Sequence, residues 1–142
     1  MSVFSPNILD KKKRPMRVMV VEDDAVLGLA LEEALSADGF AKVTICSTAA
    51  CSLQKLREED YDGVVLDVHL AGEHEGWEIA ELIDALGSKD TRIVFQTGAP
   101  HDIPAHIAEL GPVLEKPYDP AELVAALKDK QRPGLLTRLR RR

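Results

Sequence analysis

The feature that most constrains this chain is the stretch 63–70, an apolar run interrupted by the carboxylate of Asp67. The residues before Asp67 are one Gly, two Val and one Leu, with no polar residue between them. A strand without apolar and polar alternation is typical of a sheet covered on both faces, as parallel sheets are. Open parallel sheets carry their functional groups at the carboxyl ends of the strands. The sequence therefore predicts that Asp67 stands at the functional edge of a parallel sheet.

The rest of the chain alternates short apolar runs with amphipathic segments. Five runs predict strands, over residues 16–21, 42–46, 63–67, 92–96 and 112–115, and a helical segment follows each. This alternation predicts an α/β fold with a parallel sheet, and right-handed crossovers place helices on both of its faces. The helix predicted over residues 101–110 is the weakest, because Pro104 interrupts it.

The charge is distributed unevenly along the 142 residues. Residues 18–127 hold 22 acidic and 6 basic side chains, whereas both ends of the chain are basic. We expect one folded domain over residues 16–130, a basic flexible arm over 1–15 and a basic C-terminal tail over 131–142. The acidic body argues against nucleic-acid binding, because phosphate backbones require clustered Lys and Arg. No apolar stretch is long enough for a membrane span, and a cytoplasmic location is the default expectation.

The cysteines and histidines give no indication of a transition-metal site. Cys46 and Cys51 match no metal or redox spacing, and we expect both to be small buried thiols. His101 and His106 are five residues apart, a spacing that does not align two ligands on one helix face.

Polar side chains stand at the carboxyl ends of four predicted strands. They are Glu22 and Asp23 after the first, Asp67 at the third, Thr97 after the fourth and Lys116 after the fifth. Each residue alone is explained as a helix cap, a turn residue or a surface charge. Their shared position at one edge of the sheet instead indicates a single site.

Three carboxylates that lie close together repel one another unless a cation neutralises them. Hard oxygen ligands with water completing an octahedron describe a Mg²⁺ site, which leaves positions open for a phosphoryl oxygen. The ammonium of Lys116 and the hydroxyl of Thr97 suit the remaining oxygens of that group. An aspartate can act as nucleophile by forming an acyl phosphate, and Asp67, at the middle of the sheet, is our candidate.

Four motifs in this order resemble the receiver domain of two-component response regulators. They are Val-Val-Glu-Asp-Asp at 20–24, Val-Leu-Asp at 65–67, Gln-Thr-Gly at 96–98 and Glu-Lys-Pro-Tyr at 115–118. The resemblance covers residues 16–130 and implies a CheY-like, flavodoxin-like (βα)5 fold, doubly wound, with strand order 2-1-3-4-5. It also implies a sensor histidine kinase or a phosphotransfer protein as the partner, and a downstream protein target that the sequence does not identify.

The resemblance implies a role for each motif residue. Asp67 is the phosphoacceptor and also belongs to the metal site. In that site Asp23 is the direct Mg²⁺ ligand, Glu22 assists through water, and the backbone carbonyl of His69 completes the set. Thr97 and Lys116 bind the phosphoryl group.

Two neighbouring positions follow from the same family pattern. A cis peptide is implied between Lys116 and Pro117, a bond type nearly confined to proline. Gly98 is implied to keep the mouth of the site open for the phosphate donor.

Two features depart from the family pattern. The aromatic switch residue usually lies three positions before the lysine, where this chain has Val113. Thr97 and Lys116 are only 19 positions apart, which indicates a shortened or irregular fourth helix. Such a helix and the Phe-x-Thr-Gly stretch at 95–98 resemble an alphaproteobacterial subgroup of stand-alone receivers.

Two other classes of function compete with a phosphoacceptor. A protein-binding module that works without phosphorylation is favoured by Val113 and the irregular fourth helix, although it has no use for clustered acids. A turnover enzyme is disfavoured, because no glycine-rich dinucleotide or Walker-type loop is present. His69 stands where aspartate-nucleophile phosphatases place a second aspartate, which predicts slow self-dephosphorylation. With no room for an output domain in the sequence, we expect output through altered protein contacts or onward phosphotransfer, and homodimerisation is left open.

Overall fold

The computed structural model describes residues 16–40, 42–69, 75–86 and 90–129. These residues form a five-stranded parallel sheet with strand order β2-β1-β3-β4-β5. The fold class and strand order are therefore confirmed. The predicted arm, the predicted tail and most of the loop after Asp67 lie outside the described residues. The strands are β1 (Arg17–Val21), β2 (Lys42–Cys46), β3 (Gly63–Asp67), β4 (Arg92–Thr97) and β5 (Val113–Glu115).

Three of the helices begin at a residue whose side chain caps the helix. Asp24 accepts hydrogen bonds from the backbone of Val26 and Leu27, Thr48 accepts one from Cys51, and Asp119 forms a capping box with Glu122. The helices are α1 (Ala25–Ala37), α2 (Ala49–Glu58), α3 (Glu75–Ala85), α4 (Ala105–Ala108) and α5 (Pro120–Lys128).

Successive strand residues alternate between two apolar clusters, one on each face of the sheet. One cluster packs β-strand side chains against α1 and α5, and Val20, Val65 and Val94 belong to it. The other packs against α2, α3 and α4, and Val21, Leu66 and Phe95 belong to it. All five residues of β3 are buried, as expected for the central strand of a doubly covered sheet.

The segment between β4 and β5 is irregular, as predicted. It consists of a 3₁₀ turn (Pro100–Asp102) followed by the single-turn helix α4. Pro104 stands between them in an extended conformation and serves as the N-cap of α4. Because proline has no N–H to continue the hydrogen-bond ladder, the 3₁₀ turn and α4 cannot merge into one helix.

Two predictions about local structure were wrong. Cys46 and Cys51 are not free thiols but form a disulfide, because the end of β2 and the first turn of α2 bring their Cα atoms to 5.6 Å. The sequence predicts a loop over residues 71–76 before the third helix, but Gly76 belongs to α3, because the helix already begins at Glu75. Within the described residues, no helix has the length and apolar character to cross a membrane.

Candidate active site at the carboxyl edge of the sheet

The acidic residues predicted at the strand ends lie together. Carboxylate oxygens of Glu22, Asp23 and Asp67 all lie within 4.8 Å of one another. Glu22 is 2 % exposed and Asp67 is 5 % exposed, whereas Asp23 faces solvent. The cluster therefore has two buried carboxylates at its base and one at its opening. Such a set of hard oxygen donors, open to water on one side, fits the ligand preference of Mg²⁺.

Lys116 lies between the two buried carboxylates. Its Nζ donates to Oε1 of Glu22 at 2.8 Å and to Oδ2 of Asp67 at 3.1 Å. The side chain reaches the site from just beyond β5, where the Lys116 N–H donates to the Thr97 carbonyl at 2.8 Å. The predicted cis peptide between Lys116 and Pro117 is present.

The pKa values of Glu22 and Lys116 are shifted by burial and by neighbouring charges. Burial raises the pKa of Glu22 and the nearby Asp67 raises it further, although the hydrogen bond from Lys116 lowers it in part. For Lys116, burial acts to lower the pKa, but hydrogen bonds and charges from Glu22 and Asp67 outweigh it and raise the pKa. Lys116 thus remains an ammonium at neutral pH.

The carboxylate of Asp67 is held on both sides. Its Oδ1 accepts from the backbone N–H of His69 at 3.0 Å, and its Oδ2 accepts from Lys116. The His69 side chain is half exposed, and its Nε2 lies 4.0 Å from an oxygen of Asp102. The two hydrogen bonds to Asp67 fix the direction of its carboxylate.

Thr97 and Gly98 lie at the end of β4, at the same edge of the sheet. The Thr97 hydroxyl is buried and accepts from the Ala99 N–H at 3.0 Å, so its own proton remains available to another acceptor. A Cβ added at Gly98 would meet no atom within 4 Å. The space directly beside Gly98 is therefore open.

Val113 occupies the position of the usual aromatic switch. It pairs with Phe95 across β4 and β5 and packs, partly buried, against the apolar cluster of α2, α3 and α4. It has no ring that could alternate between a buried and an exposed position.

Sequence reasoning missed the supporting roles of three residues, although two of them, Gln96 and Tyr118, stand in the motifs. Gln96 donates through Nε2 to Oε1 of Glu22 at 2.9 Å, and the hydroxyl of Tyr118 donates to Oε1 of Gln96. A polar residue directly after the apolar run 93–95 of β4 was the available signal for Gln96. A Cβ added at Gly76 would clash with the Asp67 carbonyl oxygen and lie 3.0 Å from Cα of Val68. Only a glycine lets the first turn of α3 approach the backbone of Asp67 this closely.

Comparison with known proteins identifies the family of this site. The family model described as "Response regulator receiver domain" matches residues 18–128. The chain belongs to the response regulator receiver domain family. Receiver domains are phosphoacceptor signalling domains that interact with histidine kinases or phosphotransfer proteins, rather than turnover enzymes.

One curated relative is the transcriptional activator protein IrlR of Burkholderia pseudomallei. This chain is 33 % identical to it over 123 residues, which cover 84 % of this chain and 52 % of the relative. The chain therefore spans about half the length of that relative.

Solved structures agree with the fold. The response regulator protein TrrA from Thermotoga maritima, in complex with Mg(2+)-BeF, aligns with a TM-score of 0.71 and 24 % identity, covering 80 % of this chain and 96 % of its own. SdrG from Sphingomonas melonis aligns with a TM-score of 0.66 and 27 % identity, covering 80 % of this chain and 91 % of its own.

Proposed function

We propose that Asp67 accepts a phosphoryl group from the phosphohistidine of a sensor histidine kinase or phosphotransfer protein, in a reaction that requires Mg²⁺. The observation that carries this proposal is the environment of the Asp67 carboxylate. It is buried, it accepts hydrogen bonds from the His69 N–H and the Lys116 ammonium, and it lies within 4.8 Å of carboxylate oxygens of Glu22 and Asp23. The Asp67 carboxylate is therefore oriented by hydrogen bonds and lies beside a candidate cation site.

Each residue of the site has a proposed task. Asp23 and Asp67, with the backbone carbonyl of His69, hold Mg²⁺ directly, and Glu22 assists through water. When bound, the Mg²⁺ neutralises negative charge on the phosphoryl oxygens. The ammonium of Lys116 and the hydroxyl of Thr97 donate hydrogen bonds to the phosphoryl oxygens. Gly98 leaves open the space through which the donor approaches.

The proposed step is an in-line displacement. An oxygen of the Asp67 carboxylate attacks phosphorus, a P–O bond forms, and the P–N bond to the donor imidazole breaks. The electron pair of the broken bond goes to the imidazole nitrogen, and a proton on the other ring nitrogen of the donor lets neutral imidazole leave. An acyl phosphate remains on Asp67. Lys116 suits this step because its pKa is raised, so that a positive charge is available as charge develops on the phosphoryl oxygens.

The test is incubation with Mg²⁺ and a small acyl-phosphate donor, followed by intact-mass measurement. We expect wild type to gain one phosphoryl group and Asp67→Asn to gain none. Asp84→Asn is the matched control, because Asp84 is an exposed acid on α3 outside the cluster, and it should be labelled like wild type. Equal labelling of Asp67→Asn and wild type would refute the assignment.

A second candidate function is a protein-binding module that works without phosphorylation. Val113 and the single-turn helix α4 favour it, because the aromatic movement usual in the family has no side chain to carry it. Comparison of partner capture by unphosphorylated wild type and by Asp67→Asn separates the candidates. Equal capture, unchanged by phosphorylation of wild type, favours the module.

Several finer predictions stay proposals. We expect Asp67 to lose its phosphoryl group slowly, with His69 influencing how water reaches the acyl phosphate. The test compares the acyl-phosphate lifetime of His69→Ala with that of wild type. Four further points also remain predictions. They are output through protein contacts or onward phosphotransfer, a cytoplasmic location, membership of the alphaproteobacterial subgroup, and the roles of the arm and tail. Homodimerisation remains open.

A further inference from the structure

Gln96 has a buried side chain whose amide makes a hydrogen bond through its nitrogen and another through its oxygen. The residue is 0 % exposed, and in the sheet it pairs with Asp67 on β3 and Leu114 on β5. Its Nε2 donates to Glu22 and its Oε1 accepts from Tyr118. An ionised carboxylate can only accept and the tyrosine hydroxyl has one proton to donate, so this arrangement matches the amide at both ends.

The position of Gln96 follows from the alternation of side chains along β4. Gln96 stands two residues after Val94, just as Asp67 stands two residues after Val65 and Glu22 two after Val20. The three valines share the cluster that packs against α1 and α5. The three polar residues therefore continue one face of the sheet, and an amide at position 96 meets the acids rather than the opposite cluster.

Glu22 depends on Gln96 because its other side-chain donor is shared. Oε1 of Glu22 accepts from both Lys116 and Gln96, and Oε2 accepts from the Asp24 N–H at 3.0 Å. Lys116 also binds Asp67, and the proposed function requires it to bind the phosphoryl group. If Lys116 turns toward that group, Gln96 is the side chain that still holds Glu22 in the described part of the protein.

We propose that Gln96 is a positioning residue that orients Glu22 for Mg²⁺, and that Tyr118 acts through Gln96. The proposal rests on the proposed function for the identity of the cation. Tyr118 directly follows the cis Lys116–Pro117 unit and precedes Asp119, the N-cap of α5. The Gln96–Tyr118 pair therefore connects the acidic cluster to the start of α5 without passing through Val113.

The protonation of Tyr118 supports this direction of hydrogen bonding. Burial, and then the negative charges of Glu22 and Asp67, raise the pKa of Tyr118. The hydroxyl keeps its proton at neutral pH and donates it to Gln96. Gln96 in turn directs its NH₂ group at Glu22, and both ends of the pair remain satisfied although they are buried.

The experiment measures Mg²⁺ binding by the unphosphorylated protein through the fluorescence of Trp77. Trp77 directly follows Gly76, which packs closely against the Asp67 backbone. Gln96→Met keeps the length of the side chain and removes the donor. We expect Mg²⁺ to bind about tenfold more weakly, as is common when a residue that orients a metal ligand is lost. Gln54→Met is the control, because Gln54 makes an exposed hydrogen bond to Glu58 on α2, and it should bind as wild type does.

Tyr118→Phe keeps the ring and removes only the hydroxyl, so it decides the question if Gln96→Met does not fold. We expect Tyr118→Phe to weaken Mg²⁺ binding less than Gln96→Met does. The double variant should bind no more weakly than Gln96→Met alone, because Tyr118 acts through Gln96. Unchanged Mg²⁺ affinity in both single variants, or additive losses in the double variant, would overturn the proposal.

Failure of the proposed function gives a different pattern. The Mg²⁺ titration uses no phosphate donor, so a wild type that binds Mg²⁺ but never gains a phosphoryl group refutes phosphorylation alone. Weakened Mg²⁺ binding in Gln96→Met would still support the positioning role in that case.

Discussion

Replacing Lys116 with Met removes an ammonium from between two buried carboxylates and keeps most of the apolar stem. In the variant, Glu22 retains its hydrogen bonds from Gln96 and Asp24, and Asp67 retains the one from His69. Among the described residues, no other cation then contacts either carboxylate, so only bound Mg²⁺ would supply a positive charge. We therefore expect a loss of folding free energy that depends on both pH and Mg²⁺.

The magnitude follows from the burial of the groups. Removing one partner of a buried ion pair costs about 3–5 kcal/mol. The Lys116 side chain is 24 % exposed and the cluster opens to water at Asp23, so we expect the lower end, about 3 kcal/mol. For a domain of this size, that loss lowers the Tm by about 10 °C.

The pH dependence has a definite sign. The pKa of Glu22 is already raised above its ordinary value of 4.5, and loss of the hydrogen bond from Lys116 raises it further. An acid with a raised folded pKa makes the native state less stable as the pH rises from the unfolded value through the folded one. The cost of Lys116→Met should therefore be largest at about pH 7.5 and shrink toward about pH 5.

The assay is urea unfolding followed by circular dichroism, with a chelator or with Mg²⁺, at both pH values. Mg²⁺ at one hundred times its dissociation constant should restore about 2.7 kcal/mol to any variant that still binds it. Lys128→Met is the matched control, because Lys128 pairs with Asp38 at 2.6 Å on the exposed surface and should lose less than about 1 kcal/mol. A loss in Lys116→Met that is independent of pH and Mg²⁺ would refute the electrostatic account and point to lost packing.

Three further predictions concern single residues of the site. Asp67→Asn should lose most of the stabilisation that Mg²⁺ gives to wild type, measured as the shift in Tm on adding Mg²⁺; an equal shift would contradict the cation site. Gly76→Ala should unfold about 1–3 kcal/mol more easily in urea, because its Cβ meets the Asp67 backbone; unchanged stability would contradict this contact. Gly98→Leu should unfold like wild type, since the space beside Gly98 is open. Its phosphorylation should be slowed more with a kinase as donor than with a small acyl-phosphate donor. Equal slowing with both donors would argue against a role for Gly98 at the opening of the site.

The sequence predicted the sheet and the acidic cluster because both depend on patterns that are local to each strand. The apolar run before Asp67 and the acids after β1 are visible one strand at a time, and parallel topology then brings the strand ends together. The short fourth helix was predictable for the same reason, since Pro104 limits helix formation locally.

The remaining features depend on distances between segments. Contact between Gln96 and Glu22 requires the register of β4 and the face on which each side chain falls, and Tyr118 reaches Gln96 only after the turn at Pro117. The Cys46–Cys51 bond depends on how closely the end of β2 approaches the first turn of α2, and no spacing rule supplies that distance. The close approach of Gly76 to Asp67 is likewise set by packing rather than by helix propensity.

The most direct test of the central claim is to map the phosphorylated residue chemically. Wild-type protein is incubated with Mg²⁺ and a small acyl-phosphate donor, then reduced with borohydride, which converts an aspartyl phosphate into homoserine. Peptide mass mapping should place homoserine at position 67, and omission of Mg²⁺ should abolish it. Modification at Glu22 or Asp23, or no modification of any acid, would contradict the assignment of Asp67 as the phosphoacceptor.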